Sequence, residues 1–472
     1  MKPFLHQAEF ISTLAQVKSW ALFWEQGTGK TKALLDNIQH LAGQGEINAA
    51  LVLAPNGVHR AWIIDEAPLH MEMSYQGMFY DTGKAGTIKG QKELKEFLDK
   101  PFPLLAMSYD SFMTGKGRAY ARRFLDKRNT MFILDESSAI KNAGAKRTRS
   151  VVAMGRHTNY RRVANGTPTS NSPFEVYPQI KFLDEDFWKR HGFSSFEVFK
   201  SYFGIYEKGF NHAQGREFKY IKGYQHIDEL AKIVTEISTR ILKEDALDLP
   251  PKLYTKRYVE LSPRQRKYYN QIRDEYLLQY DSGVILTTEL PIQRLLRLQQ
   301  IVCGYLPEID GEPKQLIELD NLPRLEVLEE QCDGLTHQAI IWAKFNVDVD
   351  LICGRLKSKA VRYDGKVTED DRAKNKAAFL AGDAQFFVAK TAVAGKGHTF
   401  VNAKSVIYYS NSFSLEDRLH SEDRAHRAGQ TDSVDYTDYV SPSTVDVFIV
   451  NTLRNKFDIA SAVAGDALRD WI

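Results

Sequence analysis

The stretch ALFWEQGTGKTKALL (21–35) passes from an apolar run through Gly27-Thr28-Gly29 into a helical pattern that starts near Lys30. Glycines let backbone N–H groups turn inward around phosphate oxygens, and the start of a helix adds partial positive charge. Lys30 is then placed to reach β- and γ-phosphates, and the Thr31 hydroxyl to ligate Mg²⁺. The full pattern G-x-x-x-x-G-K-[ST] wants glycine at position 24, where this chain has Trp24. The reading therefore needs a second element, and MFILDESS (131–138) supplies it. An apolar strand ending in two adjacent carboxylates, at the C-terminal edge of a parallel sheet, would turn Asp135 toward the Mg²⁺ and Glu136 toward an attacking water. The pair follows the phosphate loop by about a hundred residues, on a strand that could neighbour the one carrying that loop.

Working outward, the first 185 residues alternate short apolar runs with helix-like stretches: AALVLAP (49–55), FPLLAMSY (102–109), MFILDE (131–136) and YRRVANGTP (160–168). Such runs read as βα units of a parallel sheet. A second series follows late in the chain, with QAIIWAKF (338–345), KAVRYDG (359–365), AQFFVAKT (384–391), KSVIYYS (404–410) and VDYTDYV (434–440). The expected fold is thus α/β, with two lobes built on parallel sheets. The middle, about 185–330, is mostly helical in pattern, as in SPRQRKYYNQIRDEYLLQY (262–280) and PIQRLLRLQQIVC (291–303). One piece differs: FGIYEKGFNHAQGREFKYIKGY (203–224) alternates aromatic and polar residues on both sides of NHAQG, which predicts a β-hairpin.

The bulk numbers set limits on partners. In 472 residues, 43% are hydrophobic and 26% charged, the balance of a globular protein with two or three cores. Formal net charge is +3, from 63 basic and 60 acidic residues, so any nucleic-acid contact must come from a local stripe. Cys303, Cys332 and Cys353 lack metal-ligand spacing, which predicts ordinary thiols and no structural metal. The opening MKPFLHQAEFISTLAQ is a poor signal peptide, and no run approaches the roughly 20 apolar residues of a membrane span. We expect no membrane association and a cytoplasmic location.

A third chemical element lies in the second series. HSEDRAHRAGQ (420–430) sets Arg424 and Arg427 three apart, on one face of an expected helix. Arginines brought to a γ-phosphate stabilise the charge that develops during transfer. Together the three elements describe a nucleotide held between two lobes.

The order and wording of these segments resemble the Swi/Snf-type ATPases of helicase superfamily two. Gln7 in PFLHQ resembles that family's adenine-reading glutamine, and VLAPNGVHRAW (52–62) resembles its next motif. DESSAIKN (135–142) and NGTPTSNSPFEVYPQIKFLD (165–184) resemble the acidic and Thr-Gly-Thr-Pro motifs. RILKEDALDLPPK (240–252) resembles the opening of the second half, and YDGKVTEDDRAKNKAAF (363–379), TAVAGKGHTF (391–400) and DRAHRAGQ (423–430) resemble the later motifs in order. Ser137-Ser138 depart from the usual Ala-His, Asn165 from Thr, Ala394 from one Gly, and His420 from Gln. In the family those positions mostly couple hydrolysis to movement.

The resemblance implies lobe 1 at 1–239, with the hairpin insertion 203–224, and lobe 2 at 240–472, with a helical insertion at about 255–330. It implies that Gln7, Gly27, Thr28, Gly29, Lys30, Thr31, Gly395 and Gln430 hold ATP, and that Thr31 and Asp135 hold Mg²⁺. Catalysis falls to Lys30, Asp135, Glu136, Arg424 and Arg427, and nucleic-acid contact to Arg60, Ser108, Tyr109, Lys344, Thr391 and Lys396. The basic run GKGRAYARRFLDKR (115–128) is either a further contact or a solvated helix face. In the hairpin, Phe218, Tyr220 and Lys222 are candidates to stack on bases and follow a backbone, unless the hairpin's aromatics pack onto the first lobe. The expected function is an ATP-driven translocase or helicase on duplex, forked or branched DNA. It looks like the compact monomeric members from phage or bacteria, acting in the bacterial or infected-host cytosol. An RNA helicase, a remover of DNA-bound proteins without strand separation, and a scaffold that binds ATP without turnover are the competing readings.

Overall fold

The computed structural model describes residues 3–211, 216–281, 290–307, 313–315, 321–394, 399–466 and 471. The chain falls into two compact units. The first comprises Met1–Gly204, Tyr224–Asp248 and Asp458–Leu468, and the second Ile205–Gly223, Leu249–Phe457 and Arg469–Ile472.

The strands of the first unit are β1 (Ser19–Trp24), β2 (Ala49–Ala54), β3 (Gln76–Phe79), β4 (Pro103–Ser108), β5 (Thr130–Asp135) and β6 (Tyr160–Ala164). Next along the chain comes a separate two-stranded ribbon, β7 (Gly204–Asn211) and β8 (Arg216–Tyr224), most of which falls in the second unit, and then the first unit's last strand, β9 (Ser238–Ile241). The sheet runs β3-β4-β2-β5-β6-β1-β9, with every neighbouring pair parallel. Every residue of β2, β4 and β5 is buried, because helices cover both faces of a parallel sheet. Alternate side chains feed two cores: Phe23, Leu53, Met107 and Phe132 on one face, Leu22, Val52, Ala106 and Ile133 on the other.

The second unit repeats the plan. Its strands are β10 (Lys252–Tyr258), the short antiparallel pair β11 (Tyr305–Pro307) and β12 (Pro313–Gln315), then β13 (Gln338–Ala343), β14 (Ala360–Tyr363), β15 (Phe386–Lys390), β16 (Ala403–Tyr408) and β17 (Val434–Val440). The main sheet runs β10-β17-β16-β13-β15-β14, again parallel throughout. The middle carries the two expected helices, Pro263–Asp281 and Leu290–Val302. None of the described helices is long and apolar enough to cross a membrane.

Three expectations need correction. The acid-bearing β5 does not neighbour the loop-bearing β1: β6 lies between them and bonds to both. A parallel sheet can insert a later strand this way because each crossover is long enough to skip a place. Second, β10 is a strand where a helical pattern was expected to begin. It pairs with β17 along its whole length, but at the sheet edge, so its residues alternate between half-buried and exposed. Third, Arg424 and Arg427 do not share a helix face. The helix Leu415–Glu422 stops before them, because the chain beyond is held by distant partners. Tyr436 donates its hydroxyl to the Glu422 carbonyl at 2.8 Å, and Phe400 N–H donates to the Arg424 carbonyl at 2.8 Å.

Candidate active site

Three loops of the first unit leave the C-terminal edge of three adjacent strands: the phosphate loop after β1, Asn165-Gly166 after β6 and Glu136 after β5. This edge is where open α/β sheets bind ligands. Gly27 and Gly29 sit at φ +81° and +83°, the left-handed region that bends the loop into the helix Lys30–Gly43. Position 24 belongs to the strand, not the loop. Trp24 is buried, its indole N–H donates to Thr239 at 2.8 Å, and the rings of His6 and Phe10 meet it edge-on.

The buried Gln7 is built into this loop. Its Oε1 accepts from Phe4 N–H at 2.8 Å while its Nε2 donates to the Gly29 carbonyl at 3.0 Å. A Cβ at position 29 would lie 2.2 Å from that nitrogen. His6 contacts the Thr28 carbonyl at 2.8 Å, and the Thr28 hydroxyl donates to the Glu25 carbonyl at 2.8 Å. The Lys30 ammonium donates to the carbonyls of Trp24 at 2.9 Å and Glu25 at 3.0 Å, inside its own loop. Thr31 follows at the first turn of the helix, half-buried.

Asp135 is 7% exposed. Trp62 donates its indole N–H to Oδ2 at 2.8 Å, Glu136 N–H donates to Oδ1 at 3.0 Å, and Tyr109 donates its hydroxyl to the Asp135 carbonyl at 2.9 Å. Burial and then the adjacent Glu136 charge push the Asp135 carboxyl up to about 6, against the Trp62 hydrogen bond and the Lys30 charge. A carboxylate so placed gains from a nearby cation. Mg²⁺ fits that need, since it takes one carboxylate and one hydroxyl from a protein and fills the rest of its shell with phosphate and water.

Glu136 holds a left-handed backbone, φ 50° and ψ 58°, a conformation that a non-glycine residue adopts only when its surroundings fix it. Gln26 of the phosphate loop donates to its Oε1 at 3.2 Å, and Gly166 leaves room for Gln26, since a Cβ there would lie 2.7 Å from the Gln26 amide. Ser137 donates to Gln179 Oε1 at 2.5 Å, and Asn165 reaches the same oxygen at 3.2 Å. Gln179 in turn donates to the carbonyls of Pro168 and Glu175 at 2.7 Å each. Two residues that depart from the family pattern, Ser137 and Asn165, are thus joined through one buried amide. Arg240 closes the group by donating to the carbonyls of Phe23 at 2.7 Å and Gly166 at 3.1 Å. Neither Gln26 nor Gln179 stands out in the sequence. Both lie inside quoted motifs, but their partners are 110 and 42 residues away.

In the second unit, Arg424 is buried with its Nε donating to the His420 carbonyl at 2.8 Å, while Arg427 is half-buried. Gln430 ties its loop to the start of β16: its amide donates to the carbonyls of Val401, Ala403 and Ala425 at 3.1–3.2 Å. Lys344 and Thr391 follow β13 and β15, so they lie at the C-terminal ends of neighbouring strands. Burial pulls the Lys344 ammonium below its usual range. Arg60 is exposed, over the Phe79 ring at 5.3 Å. Ser108 and Tyr109 turn inward instead, Ser108 capping the helix Tyr109–Met113 and Tyr109 bonding to Asp135, so neither side chain faces solvent. In the 115–128 run, Arg122 pairs with Asp126 and Lys127 with Asp99. Gly395 and Lys396 lie outside the described residues.

Two RecA-like α/β units, one with a phosphate loop and an acid pair at its sheet edge, define a helicase-type ATPase. The chain belongs to the SNF2-related domain family: that domain matches residues 6–304, and the helicase conserved C-terminal domain matches residues 323–429. The CHD3-type chromatin-remodeling factor PICKLE of Arabidopsis thaliana is 26% identical over 93% of this chain and 32% of its own length. The ATP-dependent DNA helicase DDM1 of the same plant is 22% identical over 93% of this chain and 58% of its own length. The chain therefore spans about a third to three-fifths of these two relatives. Among solved structures, a Sulfolobus solfataricus SWI2/SNF2 ATPase core in complex with dsDNA aligns over 98% of this chain and 94% of that one, with 20% identity and a TM-score of 0.42.

Proposed function

We propose that the chain hydrolyses ATP in response to DNA and uses the cycle to move along duplex, forked or branched DNA and remodel it. The observation that carries the reading is the convergence of Lys30, Asp135 and Glu136 at one sheet edge, in a chain whose second half repeats the same α/β plan. The names of the two relatives, a chromatin-remodeling factor and a DNA helicase, favour DNA over RNA.

In this reading Lys30 leaves its loop carbonyls and turns to the β- and γ-phosphates as the N–H groups of residues 27–31 wrap them. Thr31 and Asp135 would hold Mg²⁺, which supplies charge to the phosphate oxygens when bound. Glu136 orients the attacking water and accepts its proton, with Gln26 fixing the carboxylate. Arg424 and Arg427 are assigned to the charge that builds on the departing phosphoryl group. Arg60, Lys344 and Thr391 are assigned to the DNA backbone, where contacts set position and not sequence.

The test is the ATPase rate alone and with single-stranded DNA, duplex DNA, a branched junction and RNA, for wild type and Glu136→Gln. We expect duplex or junction DNA to stimulate wild type strongly. Glu136→Gln should bind ATP but turn over about 10²- to 10⁴-fold more slowly, the usual cost of losing a general base. Stimulation by RNA alone would favour an RNA helicase. Full turnover by Glu136→Gln would remove the catalytic assignment.

A further inference from the structure

We propose that the β7–β8 ribbon is a stacking platform for an unpaired nucleic-acid strand. The inference rests on the DNA-dependent reading above and adds a recognition surface to it. At the ribbon's base Tyr224 meets Phe174 edge-on, ring centroids 5.4 Å apart, beside the buried Phe203. Beyond the base the pattern reverses. Tyr206, Phe210, Phe218 and Tyr220 are 37%, 51%, 48% and 43% exposed. Four large rings held in water, Phe218 and Tyr220 on one face and Tyr206 and Phe210 on the other, contribute little to a core, and exposed rings of this kind mark binding surfaces.

The ribbon's own chemistry narrows the occupant. Glu207 accepts from the Tyr220 hydroxyl at 2.7 Å and pairs with Lys222, so these three residues share a face with Phe218. On that face Gly209 is what admits the Phe218 ring, since a Cβ there would lie 2.7 Å from it. The ring lies across bare backbone, with its centroid 6.1 Å from that of Tyr220. The two rings are tilted 43° to each other, so each offers its own face to a base. The opposite face carries Lys208, paired with Glu217 at 2.9 Å, together with Lys219. Over Ile205–Gly223 the four cations Lys208, Arg216, Lys219 and Lys222 outnumber the two carboxylates Glu207 and Glu217. Rings for bases and a cationic excess for phosphates fit a single strand. A blunt duplex hides its base faces, and an apolar protein partner would not call for the cations.

The experiment is fluorescence anisotropy of the full chain with a labelled oligothymidine strand, a blunt duplex and a forked duplex. It compares wild type with Phe218→Leu/Tyr220→Leu and with Phe218→Trp. Leucine keeps apolar surface but has no ring face. We expect the leucine pair to lose about ten-fold or more in affinity for the single strand and the fork, with blunt-duplex binding kept as the check on folding. Phe218→Trp should keep or improve single-strand binding. A leucine pair that binds strand and fork like wild type overturns the ribbon's role and leaves the DNA motor standing. Equal loss on all three substrates also overturns it, since the rings would then serve the fold. A wild type that binds none of the three removes the DNA reading itself.

Discussion

Glu136 shows what a single residue needs beyond the right functional group. Its backbone sits in a left-handed well that sequence does not announce, and its carboxylate is tied to Gln26 at 3.2 Å across the sheet edge. If Gln26 positions the carboxylate without taking part in proton transfer, removing its amide should lower turnover moderately and leave nucleotide affinity alone. We expect Gln26→Ala to reduce kcat by about ten-fold with KM for ATP nearly unchanged, well short of the 10²- to 10⁴-fold cost of losing a general base. Steady-state kinetics with saturating DNA makes the measurement. A raised KM with unchanged kcat would place Gln26 with the phosphates and not with the water. Asp135 and Glu136 were visible as candidates because an apolar run ending in two carboxylates is a local pattern. Gln26 and Gln179 were not, because each acts through a partner in another motif, and a motif read alone carries no record of that pairing.

Among elements, legibility follows burial. The runs of β2, β4 and β5 are buried at every position and read directly as strands. By contrast β10, KLYTKRY, shows its outer residues to solvent and owes its existence to β17, which Thr255 meets through Thr437, 182 residues away. The helix ending at Glu422 has the same kind of cause. That fully buried carboxylate accepts from Arg418 at 2.9 Å, Tyr254 at 2.7 Å, Lys252 at 3.0 Å and the Trp471 indole at 3.1 Å. Burial would raise its pKa, but Lys252 and Arg418 outweigh burial and hold it down at about 2. A carboxyl depressed on folding stabilises the protein above its ordinary range, near 4.5, and loses that contribution as pH falls toward 2. Glu422→Gln leaves Lys252 and Arg418 less compensated in a buried site, which costs about 3–5 kcal/mol near neutral pH. Thermal unfolding of the two proteins should therefore differ most near neutrality and converge as the pH drops below about 4. A gap that stays constant with pH would mean the loss is one of packing and not of charge.

At the scale of the molecule, the chain builds the same architecture twice, and each copy buries its own pair of cores. The two series of apolar runs made that duplication readable, since each run became a strand of a parallel sheet. Two separately cored units in one chain depart from the conditions for a single all-or-none transition. We expect calorimetry to resolve two unfolding steps. The phosphate loop and the acid pair belong to the first unit, so its step should answer to nucleotide. Ligand at about a hundred times its Kd stabilises the unit that binds it by about 2.7 kcal/mol, a shift of several degrees. Adding Mg²⁺ with a non-hydrolysable ATP analogue should raise one step by that much, and Lys30→Ala should abolish the shift without moving the baseline far. The Glu422→Gln loss should fall on the other step, because its partners Lys252, Tyr254, Arg418 and Trp471 all lie in the second unit. If both perturbations move one shared transition, the units unfold together, and cooperativity extends across the whole chain.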